Sequence, residues 1–280
     1  MERPGTVTII GVGLIGGSIG LALRARGLAG KVIGLGRTLE SLEEAIRLGA
    51  IDEGTTDPNR SVAGADVAVV CTPVSRIAID AIGAASAGPK GLLVTDAGST
   101  KREIVERVEA DPRARLGFVG AHPIAGSERK GVAHARADLF EGRACVLTPS
   151  GRTPMDRLNR ARAFWTALGC RLHEMGPAAH DDALAMTSHL PHAVAAALAA
   201  AVPPDLLPLA AGAYRDGTRV AASDAELWAG IFLANRMPVI DALGEFQDQV
   251  NALKMALIQG DHEAIRAWWE SARARRLKLH

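Results

Sequence analysis

A glycine-rich turn near the N-terminus constrains the fold more than any other feature of this sequence. The apolar run at residues 7–10 leads directly into GVGLIG at residues 11–16, and a helical pattern follows. A GxGxxG motif between a strand and a helix is typical of dinucleotide-binding βαβ units. Gly11 permits the tight turn, Gly13 lets the backbone approach a pyrophosphate, and Gly16 permits close packing of helix on strand. The free N–H groups at the start of the helix favour phosphate.

The remainder of the first half alternates short β-branched runs with helical patterns. The predicted strands cover residues 7–10, 31–35, 67–71, 92–96, 118–121, 145–147 and 171–175. The predicted helices between them cover residues 14–26, 39–48, 77–85, 101–110 and 155–168. This alternation predicts an α/β Rossmann domain, with a mostly parallel, doubly wound sheet and helices on both faces.

The pattern changes after Gly176, because no β-branched strand pattern follows. Helices are predicted over residues 178–202 with a kink at Pro191, over 206–214, and over 223–259 with a bend or break at Pro238. Asp261 is the predicted cap of a last helix. The sequence thus predicts two domains, an α/β domain over residues 1–176 and an all-α domain over residues 177–280.

Composition excludes several classes of protein. With 48% hydrophobic and 22% charged residues, the chain is not intrinsically disordered. A net charge of +1 and only 4% aromatic residues argue against nucleic-acid and membrane-surface binding. The apolar run at residues 193–202 is about half as long as a spanning helix, and residues 4–23 hold too many glycines for an isolated one. Three scattered cysteines fit a reducing compartment. We therefore expect a cytoplasmic protein.

The choice between NAD and NADP depends on the end of the second predicted strand. NAD sites usually carry an acidic residue there, but this sequence reads Gly36-Arg37-Thr38. Arg37 and Thr38 could receive a 2′-phosphate, which favours NADP, while a solvated Arg37 would leave NAD or both cofactors possible. The predicted cofactor-binding residues are Gly11, Gly13, Leu14, Ile15, Gly16, Gly36, Arg37, Thr38, Cys71, Thr72, Pro73 and Asp96.

Polar residues follow two strands whose carboxyl ends should border the same crevice. In the loop at residues 96–101, Ser99 could bind a substrate hydroxyl and Lys101 or the helix N-terminus an anion. The alternative is that Ser99 only caps the helix. His122 directly follows the strand at residues 118–121, where it is well placed for proton transfer.

The helical part adds a second group of candidates. His189 and His192 are three residues apart and share one helical face. They could form a metal pair, but no carboxylate or cysteine lies at ligand spacing, so no metal site is predicted. Arg219 could bind a carboxylate through two parallel hydrogen bonds, or pair with Asp216 or Asp224 at the surface. Trp228 could equally belong to the hydrophobic core or to a binding site.

Together these segments resemble the prephenate/arogenate dehydrogenase family. The matching pieces, in the family's order, are GVGLIGGS at residues 11–18, DAGSTK at 96–101, AHPIAGSE at 121–128, SHLPHAVA at 188–195, and the set Asp216, Arg219 and Trp228. The resemblance implies a Rossmann domain joined to a helical dimerisation domain, hence a homodimer. The chain length leads us to expect neither a fused chorismate mutase domain nor a regulatory ACT domain. Gly36 departs from the pattern, since many NAD-using relatives carry an acidic residue there.

The resemblance also implies a reaction in tyrosine biosynthesis, the NAD(P)-dependent oxidative decarboxylation of a cyclohexadienol to a phenol. His122 would take the C4 hydroxyl proton as hydride leaves, with an ionisation near pH 6.5, and Ser99 would bind that hydroxyl and orient His122. Arg219 would hold a substrate carboxylate. The other implied substrate-binding residues are His189, His192, Ser127, Glu128, Asp216 and Trp228. The sequence does not distinguish prephenate from arogenate.

Two other functions remain open at this level. A β-hydroxyacid or imine-type dehydrogenase shares the Rossmann-plus-helices architecture, but typically relies on a lysine or an acid in its helical part and lacks the HPIAGSE segment. A non-catalytic NADP-binding sensor would bind the nucleotide without turning over a substrate.

Overall fold

The computed structural model describes residues 5–127 and 129–279. Within them the chain forms eight strands and twelve α-helices. The strands are β1 (Thr6–Ile10), β2 (Lys31–Leu35), β3 (Glu53–Thr55), β4 (Val67–Val70), β5 (Leu93–Asp96), β6 (Phe118–Pro123), β7 (Ala144–Thr148) and β8 (Arg171–Glu174). The helices are α1 (Leu14–Ala25), α2 (Leu39–Arg47), α3 (Pro58–Val62), α4 (Val74–Ala87), α5 (Arg102–Ala110), α6 (Met155–Ala167), α7 (Pro177–Leu184), α8 (Leu190–Ala201), α9 (Gly212–Thr218), α10 (Ala225–Ala234), α11 (Arg236–Gln259) and α12 (His262–Arg276).

All eight strands form one sheet in the order β3-β2-β1-β4-β5-β6-β7-β8. Neighbouring strands run parallel except β6 and β7, which pair antiparallel. The predicted fold class is confirmed. In register, Ile10 lies beside Val70, and Val70 beside Asp96. The carboxyl ends of the central strands therefore meet at one edge, where ligands of open α/β sheets bind.

Apolar side chains cover both faces of the sheet. One cluster joins β1 to α1 and α6 through residues such as Ile19 and Trp165, and the other joins β4 and β5 to α4 and α5 through residues such as Ile77 and Val105. Every residue of β4 is buried, as expected for a parallel strand covered on both sides. The indole nitrogen of Trp165 donates to Thr95 Oγ1 at 3.3 Å, so α6 is fixed against β5.

Short elements account for most of the differences from the predicted secondary structure. β3 and α3 have three and five residues, and neither was predicted from the sequence. A strand of three residues is too short to display a period. The signal for α3 was nevertheless present, because Asp57 Oδ1 accepts a hydrogen bond from Asn59 N at 2.9 Å and Pro58 opens the helix.

The predicted helix over residues 178–202 is observed as α7 and α8, joined by a π-helical segment at Ala185–His189. Pro191 lies in the first turn of α8, where its missing N–H is tolerated. This helical stretch, Pro177–Ala201, is long and apolar enough to cross a membrane by length and composition alone. His180 and Asp181 within it are buried and hydrogen bonded to groups at the carboxyl edge of the sheet, as described below.

Two of the predicted helices have different boundaries in the structure. Residues 206–214 do not form one helix, because Pro208 lies in a 3-10 segment, Pro204–Leu209, and α9 begins only at Gly212. The stretch at residues 223–259 divides at Asn235 rather than at Pro238, because Pro238 occupies the third position of α11, where no helical N–H bond is lost.

The chain divides into two compact units. The first ends at Asn235, and the second covers Arg236–His280. In the first unit α7 contacts α5 and α10 contacts α4, so the helices up to α10 belong to the same body as the sheet. In the second unit α11 contacts α12, and the indole nitrogen of Trp268 donates to Gln249 O at 3.1 Å. The domain boundary after residue 176 stays a prediction.

Candidate active site

A cleft of about 1320 Å³ opens at the carboxyl ends of β1, β2 and β4. Eight of the predicted cofactor-binding residues line it, namely Gly11, Gly13, Gly36, Arg37, Thr38, Cys71, Thr72 and Pro73. Leu14 and Ile15 start α1 next to this cleft and are half-buried, and Gly16 is buried beneath the turn. The chain therefore gathers this set around one opening, as expected for a dinucleotide site at the switch point of an open sheet.

The three glycines of the turn have different surroundings. Gly11 has φ +94°, and a Cβ there would lie 2.9 Å from Cys71 O. A Cβ on Gly16 would lie 2.2 Å from Gly11 O, so only glycine fits. A Cβ on Gly13 would meet nothing within 4 Å, and no side chain caps α1. The turn thus exposes backbone and uncapped N–H groups to the cleft, which fits a pyrophosphate.

Position 36, at the end of β2, lies close to a buried leucine of α2. A Cβ on Gly36 would lie 2.9 Å from Cδ2 of Leu42, which is itself buried. Thr38 is the N-cap of α2, and its hydroxyl accepts from Ser41 N at 3.4 Å. The Arg37 side chain is exposed and has no hydrogen bond or ion pair within residues 5–127 and 129–279. One unengaged guanidinium therefore stands at the cleft wall.

Asp96 is not among the residues that line this cleft, and its role as a cofactor ligand stays a prediction. The carboxylate is fully buried, forms an ion pair with Lys101 Nζ, and accepts from Gly98 N and Ala121 N, both at 2.9 Å. Both carboxylate oxygens are therefore engaged inside the protein, as a buried ion pair requires. The expectation that Lys101 faces a ligand anion is wrong, because its Nζ is paired with Asp96.

Asp181 of α7 occupies the N-terminus of α5, where the sequence analysis expected a ligand anion. Its Oδ1 accepts from Lys101 N at 2.7 Å, and its Oδ2 from Arg102 N at 2.9 Å. Carboxylates are stabilised at helix N-termini by free N–H groups and the helix dipole. The helix start is therefore filled by a side chain from within the protein, and Ser99 does not cap α5.

A chain of hydrogen bonds leads from Asp181 to His122. His180 Nδ1 lies 2.7 Å from Asp181 Oδ1, and His180 Nε2 lies 2.9 Å from His122 Nδ1. Asp181 already accepts two backbone N–H bonds and acts as an acceptor, so His180 carries its proton on Nδ1. His180 Nε2 is then the acceptor, and His122 carries its proton on Nδ1. The free lone pair of His122 is therefore on Nε2, as a general base requires.

Burial and neighbouring charges keep these histidines neutral. Desolvation lowers the pKa of His122 well below its ordinary value, with further lowering by His180, Lys101 and His189. Desolvation also lowers the pKa of His180, although Asp181 opposes the shift. The ionisation expected near pH 6.5 is thus displaced downwards, and His122 is unprotonated and able to accept a proton throughout the neutral range.

His189, His192 and Trp228 lie together. The Trp228 ring stacks on His192 with centroids 3.7 Å apart, and meets His189 edge-on at 6.0 Å. In a regular α-helix, residues nine apart, such as His180 and His189, lie on opposite sides, about 2.5 turns apart. The π-helical segment at Ala185–His189 adds an extra residue to one turn and so brings His189 round towards His180.

Arg219 begins the 3-10 segment that follows α9, and its side chain is exposed. The positive charge of Arg219 contributes to the lowered pKa of His192, behind the larger effect of desolvation, so the two groups are neighbours. No ion pair of Arg219 occurs in the described part of the chain, and Asp224 pairs with Lys130 instead. The guanidinium is free to bind a carboxylate.

Other predicted residues are less closely involved. Ser99 is half-buried in the loop before α5 and has no hydrogen bond to another described residue, whereas His122 is hydrogen bonded to His180. Ser127 is exposed, and its hydroxyl accepts from Arg129 N at 3.1 Å. Asp216 is exposed on α9. Glu128 lies outside the described residues.

Sequence reasoning missed His180, Asp181 and Asn235. All three are buried polar residues, and they lie on helices whose patterns looked like ordinary core. An adjacent His and Asp in the first turns of a helix are by themselves weak evidence for an active site. Their meaning depends on β6 and α5 lying beside them, which only the fold decides.

Comparison with known proteins gives consistent results over nearly the whole chain. Two family models match, the nucleotide-binding domain of prephenate dehydrogenase over residues 19–174 and the dimerization domain of prephenate dehydrogenase over residues 176–271. A prephenate dehydrogenase of Bacillus subtilis is 33% identical over 275 residues, which cover 96% of this chain and 74% of the relative.

Solved structures agree with these matches. A prephenate dehydrogenase from Aquifex aeolicus, crystallised with hydroxyphenyl propionate and NAD⁺, superimposes with a TM-score of 0.91 at 33% identity, covering 99% of this chain and 98% of that one. An arogenate dehydrogenase from Synechocystis gives a TM-score of 0.84 at 28% identity, with 98% and 100% coverage.

Proposed function

Because this chain belongs to the prephenate dehydrogenase family, we propose that it oxidatively decarboxylates prephenate, arogenate or both in tyrosine biosynthesis, with a nicotinamide cofactor as hydride acceptor. The observation that carries the proposal is the chain Asp181–His180–His122, which ends in a free lone pair at the edge of the sheet where the cofactor cleft also opens. The relatives are named for prephenate and for arogenate. These two compounds differ only in a side-chain keto or amino group, so both are candidate substrates.

The chemistry of the substrate defines the tasks of the site. When bound, the nicotinamide supplies a hydride acceptor for C4 of the ring. His122 Nε2 takes the proton of the C4 hydroxyl as the hydride leaves, and His180 and Asp181 stabilise the positive charge that forms on His122. The ring carboxylate then leaves as CO₂, its bonding electrons enter the ring, and the product is aromatic. Ser99 is available to bind the hydroxyl.

The charge of the substrate requires cations and donors in the pocket. Prephenate carries two carboxylates, and burying an anion without partners is costly. Arg219 supplies a free guanidinium, and the histidines beside Trp228 supply hydrogen-bonding groups. We propose that Arg219 holds a carboxylate and that His189 and His192 contact the substrate side chain.

The decisive experiment measures formation of reduced nicotinamide with prephenate and with arogenate, each with NAD⁺ and NADP⁺. Turnover of either substrate supports the proposal. Tight cofactor binding without turnover of either one would support the sensor alternative. Turnover of small 3-hydroxy acids instead would support the β-hydroxyacid dehydrogenase alternative, which membership in this family makes the weaker of the two.

For the cofactor we propose a preference for NADP. Its support is the unengaged, exposed Arg37 at the cleft wall together with a glycine at position 36, since a guanidinium suits a 2′-phosphate. Arg37→Ala is expected to weaken NADP⁺ binding about tenfold and to leave NAD⁺ binding unchanged. Titration of both cofactors against both proteins tests this, and wild-type protein that binds NAD⁺ more tightly would overturn it.

We also propose a homodimer formed through the helical part. The alanine-rich stretch on α8 is not covered within the chain, because Ala195 is its only buried residue in the described structure. Large apolar side chains nearby, such as Leu198 and Leu209, are also exposed, and exposed apolar patches typically mark interfaces. Light scattering should give twice the 29.2 kDa mass of one chain at micromolar concentration. A monomer would refute the proposal.

A further inference from the structure

Asn235 is buried at the end of α10 and bonds to two parts of the site. Its Nδ2 donates to Asp181 O at 2.7 Å, and the same nitrogen lies 3.1 Å from His189 Nδ1. Only 2% of its surface is exposed. The residue thus ties the main chain of α7, next to the His180–Asp181 pair, to one of the two histidines beside Trp228.

The orientation of the Asn235 amide follows from its partners. A main-chain carbonyl only accepts hydrogen bonds, so the atom facing Asp181 O is the nitrogen and not the oxygen of the amide. The second hydrogen of this nitrogen points to His189 Nδ1, which is therefore the acceptor. Neutral imidazole has one donor and one acceptor nitrogen, so the proton of His189 lies on Nε2. Burial lowers the pKa of His189 to about 4, so the ring is neutral at neutral pH.

His192 has the opposite tautomer. Its Nδ1 lies 2.8 Å from Ser188 O, a main-chain carbonyl that only accepts. His192 therefore carries its proton on Nδ1 and offers Nε2 as an acceptor. Its ring plane is held by stacking on Trp228. The two neighbouring rings thus carry opposite hydrogen-bonding groups on Nε2, a donor on His189 and an acceptor on His192.

We propose that Asn235 is a positioning residue that sets the hydrogen-bond polarity of the side-chain pocket by holding His189 as an Nε2–H donor beside the Nε2 acceptor of His192. The inference rests on the proposed function. A keto oxygen only accepts and needs the donor of His189, whereas an ammonium group only donates and needs the acceptor of His192. Asn235 would therefore matter more for prephenate than for arogenate.

The test combines spectroscopy with kinetics on the full-length chain. Long-range ¹H–¹⁵N correlation spectra of histidine side chains assign the protonated nitrogen without any turnover. In the wild-type protein we expect His189 protonated on Nε2 and His192 on Nδ1. Asn235→Leu, which is similar in size but has no donor, should give His189 a mixture of both tautomers. Asn159→Leu is the matched control, because Asn159 is exposed on α6.

The same variants should differ in substrate preference. Asn235→Leu is expected to lower kcat/KM for prephenate about tenfold relative to arogenate, as for loss of one hydrogen bond in a desolvated site. Asn159→Leu should leave the ratio unchanged. If the leucine variant does not fold, Asn235→Ser keeps one hydroxyl donor and should give a smaller shift in the same direction.

Several results would overturn the inference. A wild-type His189 protonated on Nδ1 would do so, as would an unchanged tautomer in a folded Asn235 variant. An unchanged substrate ratio in a variant with altered tautomer would reject the link to specificity. Absence of turnover with both substrates in the wild-type protein would refute the proposed function instead, and the tautomer spectra would still test the role of Asn235.

Discussion

The cofactor cleft and the histidine cluster lie at the same edge of one sheet but are built in different ways. The cleft is lined by short segments between Ile10 and Ala84, and its phosphate-binding part is the glycine-rich turn with Gly11 and Gly13. The histidine cluster is formed by side chains from β6, α7, the π-helical segment and α10, with positions from His122 to Asn235.

This difference determines how each region responds to change. A phosphate site made of main-chain atoms needs only side chains small enough for the ligand to approach the backbone. Its sequence motif is therefore short and local. A site made of hydrogen-bonded side chains needs each histidine in one particular tautomer, because each donor determines which atom of the next side chain must accept. The histidine cluster should therefore be much more sensitive to single substitutions than the cleft.

The largest effect is expected at the end of the hydrogen-bond chain. His122→Asn removes the basic nitrogen at the end of that chain, so kcat should fall by about 10²–10⁴. KM should change little, since asparagine can still hydrogen bond to the substrate hydroxyl. Steady-state kinetics with the preferred substrate measures both constants, and wild-type kcat in the variant would show that the proton acceptor is another residue.

The pH profile sharpens the same comparison. His122 must be neutral to act, and its pKa is lowered by burial and by nearby positive charge. Activity should therefore rise with pH through an ionisation below the ordinary histidine value of about 6.5 and stay level through the neutral range. The His122→Asn variant should lack this step. An ionisation at or above 6.5 that disappears with His122 would contradict the burial argument.

A smaller but still large effect is expected at the start of the chain. Asp181→Asn removes the negative charge that holds His180 by its Nδ1 proton, so the tautomer of His122 is no longer fixed. We expect kcat to fall by at least about tenfold, as for other histidines that lose an orienting carboxylate. Asp182→Asn is the matched control, because Asp182 is exposed and forms an ion pair with Arg102 at 3.3 Å. Equal activities of the two variants would mean that Asp181 is purely structural.

Arg219→Ala should act mainly on substrate binding. Loss of a guanidinium that holds a carboxylate should raise KM about tenfold while cofactor affinity stays unchanged. Arg115→Ala controls for loss of one surface charge, since Arg115 is exposed in the loop that leads into the amino end of β6, away from the carboxyl edge. A KM equal to that of the control would assign Arg219 to the surface.

The smallest effects are expected in the cleft, and two glycines there should separate binding from stability. Gly16→Ala places a methyl group against Gly11 O and should destabilise the protein by about 1–3 kcal/mol, as in other overpacked sites. Gly13→Ala meets no protein atom, so Tm should hardly change while cofactor binding weakens several-fold. Thermal unfolding and cofactor titration of both variants test this. Equal losses of Tm would contradict the different surroundings of the two glycines.

The sequence predicted the cleft well because its information is local. Strand, glycine turn and helix follow each other within residues 6–25, and the φ of +94° at Gly11 can be anticipated from the motif. His122 was identifiable because a histidine that follows a strand at the carboxyl edge of the sheet is well placed for proton transfer. The position of Asp96 at a strand end was clear from the sequence, whereas its buried pairing with Lys101 was not.

What the sequence by itself determined is the alternation of strands and helices, the dinucleotide turn and the candidate base, since each depends on residues that are neighbours along the chain. Only the tertiary structure decided which groups fix the state of that base. Asp181 meets the amides of α5 some 80 residues away in sequence, and Asn235 meets His189 across 46. Hydrogen-bond direction depends on which acceptor lies opposite each donor in space, and no periodicity or motif along the chain records that choice.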